Sequence, residues 1–168
     1  KIPQDLGFVD RMDPEHVLDL EVGDNLLKKP ASKEGKEDSF DADLIATIKD
    51  AKEKIIKKME TWHIADSLDE IWNVVDRANK YIDETMPWAL AKNESDRPRL
   101  ATVIYNLLEV IRVGAVLLNP YIPKTSQAIF RQLATDKTEF ATVAEFGNLE
   151  AGRALGEGYN LFARIDEK

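Results

Sequence analysis

The segment Arg77-Ala78-Asn79-Lys80-Tyr81-Ile82-Asp83-Glu84-Thr85-Met86-Pro87-Trp88 gathers the side chains best suited to recognition chemistry. At helical spacing Asp76, Asn79 and Asp83 share one ridge, and Arg77 and Lys80 form a basic edge beside it. Trp88 follows directly on Pro87, which fixes its own backbone angle and interrupts the helix. An indole held on a rigid turn can offer a flat face to a nucleobase. Nearby carboxylate and amide groups can then exchange hydrogen bonds with the base edge. On residue types alone, a tryptophan at a helix junction is more often a packing residue. Asn79 would then be a cap or interhelical hydrogen-bonder, and Arg77 and Lys80 ordinary surface charges.

Other chemistries lack their parts. A nucleophilic triad needs a positioned base, and the chain holds two histidines, His16 and His63. His16 lies in an acidic stretch and His63 at a helix junction after Trp62, positions that suit surface or capping roles. There is no cysteine, and no set of about four nitrogen or sulfur ligands at zinc spacing. Gly152, Gly156 and Gly158 sit in a loop rather than between a strand and a helix, so they make no phosphate-binding loop. Asp66, Asp69 and Glu70 read as a solvated helix face. No catalytic or metal-ligating residue is assigned.

The formal net charge of −8 argues against non-specific nucleic-acid binding, which depends on neutralising phosphates. Recognition of a few unstacked bases is not bound by that limit. The 168 residues, 43% hydrophobic and 32% charged, suit one domain with its own core. No run of about 18 apolar residues occurs, so no membrane span or membrane partner is expected. The first residues lack a signal-peptide core. With the absence of cysteine, this leads us to expect a cytoplasmic location.

The elements that must position the Trp88 segment are helical. Residues 1–40 hold Gly7, Gly23, Gly35, Pro3, Pro14 and Pro30 and read as an irregular N-terminal segment or linker. One short helix fits there, capped by Asp13, started by Pro14 and ended by Gly23. From Asp41 the apolar residues Leu44, Ile45, Ile48, Ala51, Ile55, Ile56 and Met59 make one stripe. A second helix places Ile64, Leu68, Ile71, Trp72, Val75, Ala78 and Ile82 inward. Pro87 opens a short third helix through Ala91. Asp96 caps a fourth, from Arg97 to Leu118, with an apolar face of Leu100, Val103, Ile104, Leu107, Leu108, Ile111, Ala115 and Leu118 broad enough for a central position. Pro123 opens a fifth carrying Ala128, Ile129 and Leu133. Beyond Thr135 an irregular tail offers Phe140, Phe146, Leu161 and Phe162 as anchors. These periods and short connections predict an all-α antiparallel bundle of about five helices over residues 41–168.

Several runs, in order, carry a resemblance. They are Ala78-Asn79-Lys80-Tyr81-Ile82-Asp83, Pro87-Trp88, Leu90-Ala91-Lys92, Arg99 through Leu108, and Ala115-Val116-Leu117-Leu118-Asn119-Pro120-Tyr121-Ile122-Pro123. Ile129-Phe130, Gln132-Leu133 and the closing Leu161-Phe162-Ala163-Arg164-Ile165 continue the series. Together they resemble the anticodon-binding domain of methionyl-tRNA synthetases, from about Asp41 to Lys168. The resemblance implies the class I synthetase anticodon-binding fold. It implies a parent enzyme that joins methionine to its tRNA using ATP with magnesium, with room for zinc in its catalytic domain. It also implies that the helical domain reads the CAU anticodon, with the tRNA anticodon loop and the catalytic domain of the same chain as partners. By position, Trp88 takes the base-stacking role and Asp83 and Pro87 shape its pocket. Asn79 joins them from the residue chemistry above, and Arg77, Lys80, Lys92 and Arg99 are candidate phosphate contacts.

Three departures stand beside the match. Lys1-Ile2-Pro3 resembles the end of a family turn that follows a helix bearing the family's other main anticodon readers, an asparagine and an arginine, so that helix is expected to be missing here. Residues 4–40 exceed the family's usual connection, and Phe8, Val17, Leu18 and Leu26 are expected to cover apolar surface on the fourth helix. Ala163 stands where the family often has proline. The HIGH-type and KMSKS-type signatures are absent, so these residues alone should not activate methionine. Two other readings fit the same composition: a non-catalytic protein-interaction module, or the corresponding domain of a leucine, isoleucine, valine or cysteine synthetase.

Overall fold

A computed structural model describes residues 38–162; the expected helix after Pro14, His16, the covering role of residues 1–30 and Ala163 lie outside that range. The order is α1 (Ser39–Glu60), α2 (Ile64–Thr85), α3 (Pro87–Leu90), a short 3-10 turn (Glu94–Asp96), α4 (Arg97–Leu118), α5 (Pro123–Gln132) and a second 3-10 turn (Phe140–Ala144). Four longer helices and one single-turn helix thus make the all-α bundle, with no strand among the described residues. Pro87, Pro98 and Pro123 each stand in the first turn of a helix, where the missing N–H has no intrahelical partner to lose.

α1 and α2 form an antiparallel pair, each about 33 Å long at the standard rise. The α1 seam is Leu44, Ile48, Ala51 and Ile55, all buried at four- and three-residue steps. Each such Leu or Ile contributes about 1.5–3 kcal/mol. An exposed pair between the helices, such as Lys58–Asp66 at 3.2 Å, contributes about 0–1 kcal/mol. Apolar burial, not surface charge, therefore holds the pair. Ile56 and Met59, expected on the stripe, are more than a third exposed because they fall at its margin.

The inward face of α2 differs from the expected one. Ser67, Ile71, Val74, Arg77, Tyr81, Ile82 and Thr85 are buried, while Trp72 and Ile64 are about half exposed. The helix is rotated because its polar inward residues find partners. Ser67 Oγ donates to Ile64 O at 2.6 Å and pairs with Tyr121 Oη at 2.5 Å, and Thr85 Oγ1 donates to Tyr81 O at 2.7 Å. A buried polar group so satisfied costs little, and the indole is displaced to solvent.

α4 packs against α2, α3 and α5 and is central, as its broad apolar face predicts. With the preceding turn it forms a stretch, Glu94–Leu118, long and apolar enough by composition to cross a membrane; 61% of its most apolar window is buried inside the protein. That is the behaviour of a core helix, and it also carries Glu109 and Arg112, both with no side-chain exposure. Asp96 occupies the N-cap position but accepts from Asn93 Nδ2 at 3.0 Å rather than from a backbone N–H.

The tail is anchored differently from expectation. Val143 is the buried anchor and Phe146 packs partly against the core, whereas Phe140, Leu161 and Phe162 are exposed. Polar groups do much of the holding. Glu109 Oε1 accepts from the N–H groups of Gly147 and Asn148 at 3.0 Å, and its Oε2 accepts from Leu149 N–H at 3.1 Å.

Candidate nucleic-acid interface

The Trp88 segment begins where α2 ends. Met86 takes a left-handed conformation (φ 45°, ψ 62°) and its N–H donates to Ile82 O at 2.9 Å, closing α2. Only glycine enters that region without cost, so the turn is held by what flanks it. Pro87 is buried directly after, and α3 closes through Ala91 N–H to Pro87 O at 2.9 Å. Leu90 packs on the core. Trp88, between these two anchors, is 53% exposed. Its one-turn helix is thus fastened at both ends while the indole faces solvent.

Along the outer ridge of α2, Asn79 and Asp83 are exposed, and neither side chain makes a hydrogen bond among the described residues. Their amide and carboxylate are open to an incoming donor or acceptor. Lys80 is exposed and lies 3.5 Å from Glu84 Oε1. Lys92 is exposed and makes no ion pair among the described residues.

The two arginines among the candidate phosphate contacts are committed internally. Arg77 is 9% exposed; its Nε donates to Asp43 Oδ2 at 2.6 Å, its Nη2 to Phe40 O at 3.1 Å, and its Nη1 lies 3.0 Å from Glu84 Oε2. Arg99 meets the Asp41 carboxylate with both terminal nitrogens, at 2.5 and 2.9 Å, and reaches Asp38 at 3.4 Å. Its pKa is raised above the ordinary value, first by the hydrogen bond to Asp41, against the opposing effect of burial. A guanidinium already matched to a carboxylate has little left for a phosphate. Lys80 and Lys92 therefore remain as the exposed cations of the expected set.

Sequence reasoning missed the polar network beneath this surface. Tyr81 Oη donates to Asp41 Oδ1 at 2.5 Å and accepts from Asn106 Nδ2 at 3.1 Å, with Tyr81 fully buried. Burial, then the hydrogen bond to Asp41, pushes the Tyr81 hydroxyl well above its ordinary pKa. The only available signal was a polar residue interrupting an apolar stripe.

Exposure alone does not single out Trp88, since Trp62 is 85% and Trp72 50% exposed. What distinguishes Trp88 is its place on a turn fastened by buried Pro87 and core-packed Leu90. His63 is exposed at the N-cap position of α2, its Nδ1 2.8 Å from Thr61 Oγ1. No group of three His, Asp or Glu side chains that could hold a metal occurs among the described residues. A cavity of about 260 Å³ lies between Tyr105, Leu133, Asn148 and Arg153, lined by α4 and the tail and not by the Trp88 turn.

The family model described as the anticodon binding domain of methionyl tRNA ligase matches residues 29–168, which begins ahead of the expected boundary at residue 41. The methionine–tRNA ligase of Clostridium tetani is 45% identical over 141 residues, covering 84% of this chain and 21% of the relative. That of Caldanaerobacter subterraneus is 44% identical over 146 residues, covering 85% of this chain and 22% of the relative. The chain thus spans about a fifth of the length of these curated relatives. Among solved structures, the free form of Mycobacterium tuberculosis methionyl-tRNA synthetase superposes with a TM-score of 0.72 at 29% identity, covering 81% of this chain and 28% of that one. Its methionyl-adenylate complex gives 0.71 at 30% identity, covering 78% and 26%.

Proposed function

Because the chain belongs to the family of anticodon-binding domains of methionyl-tRNA ligase, we propose that it reads the CAU anticodon of methionine tRNA by stacking an unpaired base on Trp88. The observation that carries this reading is the half-exposed indole on a turn fastened by buried Pro87 and core-packed Leu90. A ring held so before binding loses little entropy when a base arrives. Asp83 and Asn79 supply hydrogen-bonding groups for a base edge, and Pro87 forms the rigid floor. Lys80 and Lys92 meet phosphates of the loop.

Stacking, rather than charge, dominates this mechanism. The chain carries a net charge of −8, and two lysines give only modest electrostatic attraction. A base stacked on an aromatic ring contributes about 1–3 kcal/mol. Titration with an anticodon stem-loop bearing CAU, against one with an altered triplet, tests the reading. Preferential binding of CAU supports it; equal binding to both triplets rejects it.

The remainder of the proposal concerns the whole enzyme. It attaches methionine to tRNA with ATP and magnesium, and those groups, with any zinc, belong to its catalytic domain rather than to residues described above. That domain is the intramolecular partner, and the enzyme acts in the cytoplasm. Activity measured on these 168 residues alone, by methionine-dependent ATP–pyrophosphate exchange, should be nil.

A further inference from the structure

Asp41 stands in the first turn of α1 and is 7% exposed. Its carboxylate accepts from Tyr81 Oη of α2 and from both terminal nitrogens of Arg99 of α4. Asn106, farther along α4, donates to the same tyrosine oxygen. One buried acid therefore joins three helices.

The two helices it joins to α1 are those that bracket Trp88. Tyr81 lies about a turn before Met86, where α2 ends, and Arg99 lies in the first turn of α4. The intervening segment carries α3 and Trp88. On the α2 side, the buried Thr85 hydroxyl donates to Tyr81 O and Met86 N–H to Ile82 O, so the last turn is tied to Tyr81. Arg77 adds a second strut, bridging Asp43 of α1 and Glu84 of α2. A bidentate guanidinium–carboxylate pair is strict in direction as well as distance. These contacts lie near the two helix ends between which the segment carrying Trp88 runs.

We propose that Asp41 is a positioning residue for Trp88, acting through Tyr81 and Arg99 without touching the bound base. The consequence for RNA affinity rests on the base-platform reading above; the consequence for the indole itself does not.

The test uses the full chain with Trp62→Phe and Trp72→Phe, so that Trp88 is the only indole. Asp41→Asn and Arg99→Leu are compared with this parent, and Tyr105→Phe, whose hydroxyl donates to Leu149 O of the tail and not to the Asp41 network, serves as a control. Fluorescence anisotropy and iodide quenching of Trp88 are read well below the melting temperature, with folding checked by circular dichroism. Lower anisotropy and stronger quenching are expected for Asp41→Asn and Arg99→Leu, and no change for Tyr105→Phe. Should Asp41→Asn fail to fold, Tyr81→Phe, which deletes one hydroxyl and keeps the ring, carries the comparison.

An indole indifferent to every folded variant overturns the proposal. A parallel CAU stem-loop titration separates it from the reading it deepens. Several-fold weaker binding alongside a loosened indole is the expected pair. A loosened indole in a chain whose RNA affinity ignores Trp88→Ala sustains positioning and rejects the platform. RNA affinity lost with Trp88→Ala, in a chain whose indole ignores Asp41, sustains the platform and rejects positioning.

Discussion

Arg112 follows Glu109 by one turn of α4, and the two meet at 2.7 Å with no side-chain exposure on either. Arg112 also donates to Lys137 O and Thr142 Oγ1, at 3.0 and 2.8 Å, and Glu109 accepts the three tail N–H groups. Removing the acid leaves the buried Arg112 without its counter-charge and three part-buried tail N–H groups without their acceptor. Glu109→Ala should therefore cost about 3–5 kcal/mol in urea unfolding. A loss below about 1 kcal/mol, the level of an exposed pair, would show that the tail repairs the defect.

High pH should destabilise the domain through its tyrosines. Burial, followed by the nearby Glu109 charge, raises the Tyr105 pKa from 10.0 to about 12, and its hydroxyl donates to Leu149 O at 3.0 Å. Tyr81 is raised in the same direction. With the folded value above the unfolded one, the contribution is complete below pH 10 and declines as pH rises from 10 to 12. Unfolding free energy measured across that window should fall. Tyr105→Phe should flatten the slope, and an unchanged slope would remove Tyr105 from the cause.

Salt distinguishes the two exposed lysines from the two internal arginines. Two phosphate contacts give a slope of about −1.4 in log affinity against log salt for a single strand. Raising salt from about 50 to 200 mM should then weaken stem-loop binding about sevenfold. Four contacts would give about fiftyfold over the same range. The larger figure would mean that Arg77 and Arg99 leave their carboxylates when RNA binds.

The tail should depend on one glycine. Gly156 N–H donates to Gln132 O at 2.8 Å, and a Cβ at residue 156 would lie 2.3 Å from Arg131 O. Gly156→Ala must break that approach. Hydrogen exchange of the residue 156 amide should accelerate, with little change at core amides such as Val113. Protection equal to that of the unsubstituted chain would contradict the close packing.

Helix boundaries were legible where apolar period and proline agreed. The Arg97–Leu118 helix has the bounds expected from Asp96 and its apolar period, and Pro87 and Pro123 open their helices as expected. Faces were less legible. An apolar count assigns Trp72 to the core, but Arg77 and Tyr81 occupy the inward face because Asp43, Glu84 and Asp41 meet them there. Two of those acids come from another helix, and such pairings have no local signature. The same blindness turned Arg77 and Arg99 into surface cations. The tail lacks a period altogether, so large aromatics such as Phe162 were favoured over the small, buried Val143. In the site itself, the Pro87-Trp88 pair was legible because a backbone constraint and an aromatic ring adjoin in the chain.

The central claim is that the indole of Trp88 is the platform for an anticodon base. Its most direct test is the affinity of the chain and of Trp88→Ala for a CAU stem-loop, each compared with an altered triplet. The unsubstituted chain should prefer CAU, and the substitution should cost about 1–3 kcal/mol and erode that preference. A Trp88→Ala chain that binds CAU as tightly and as selectively as before would contradict it.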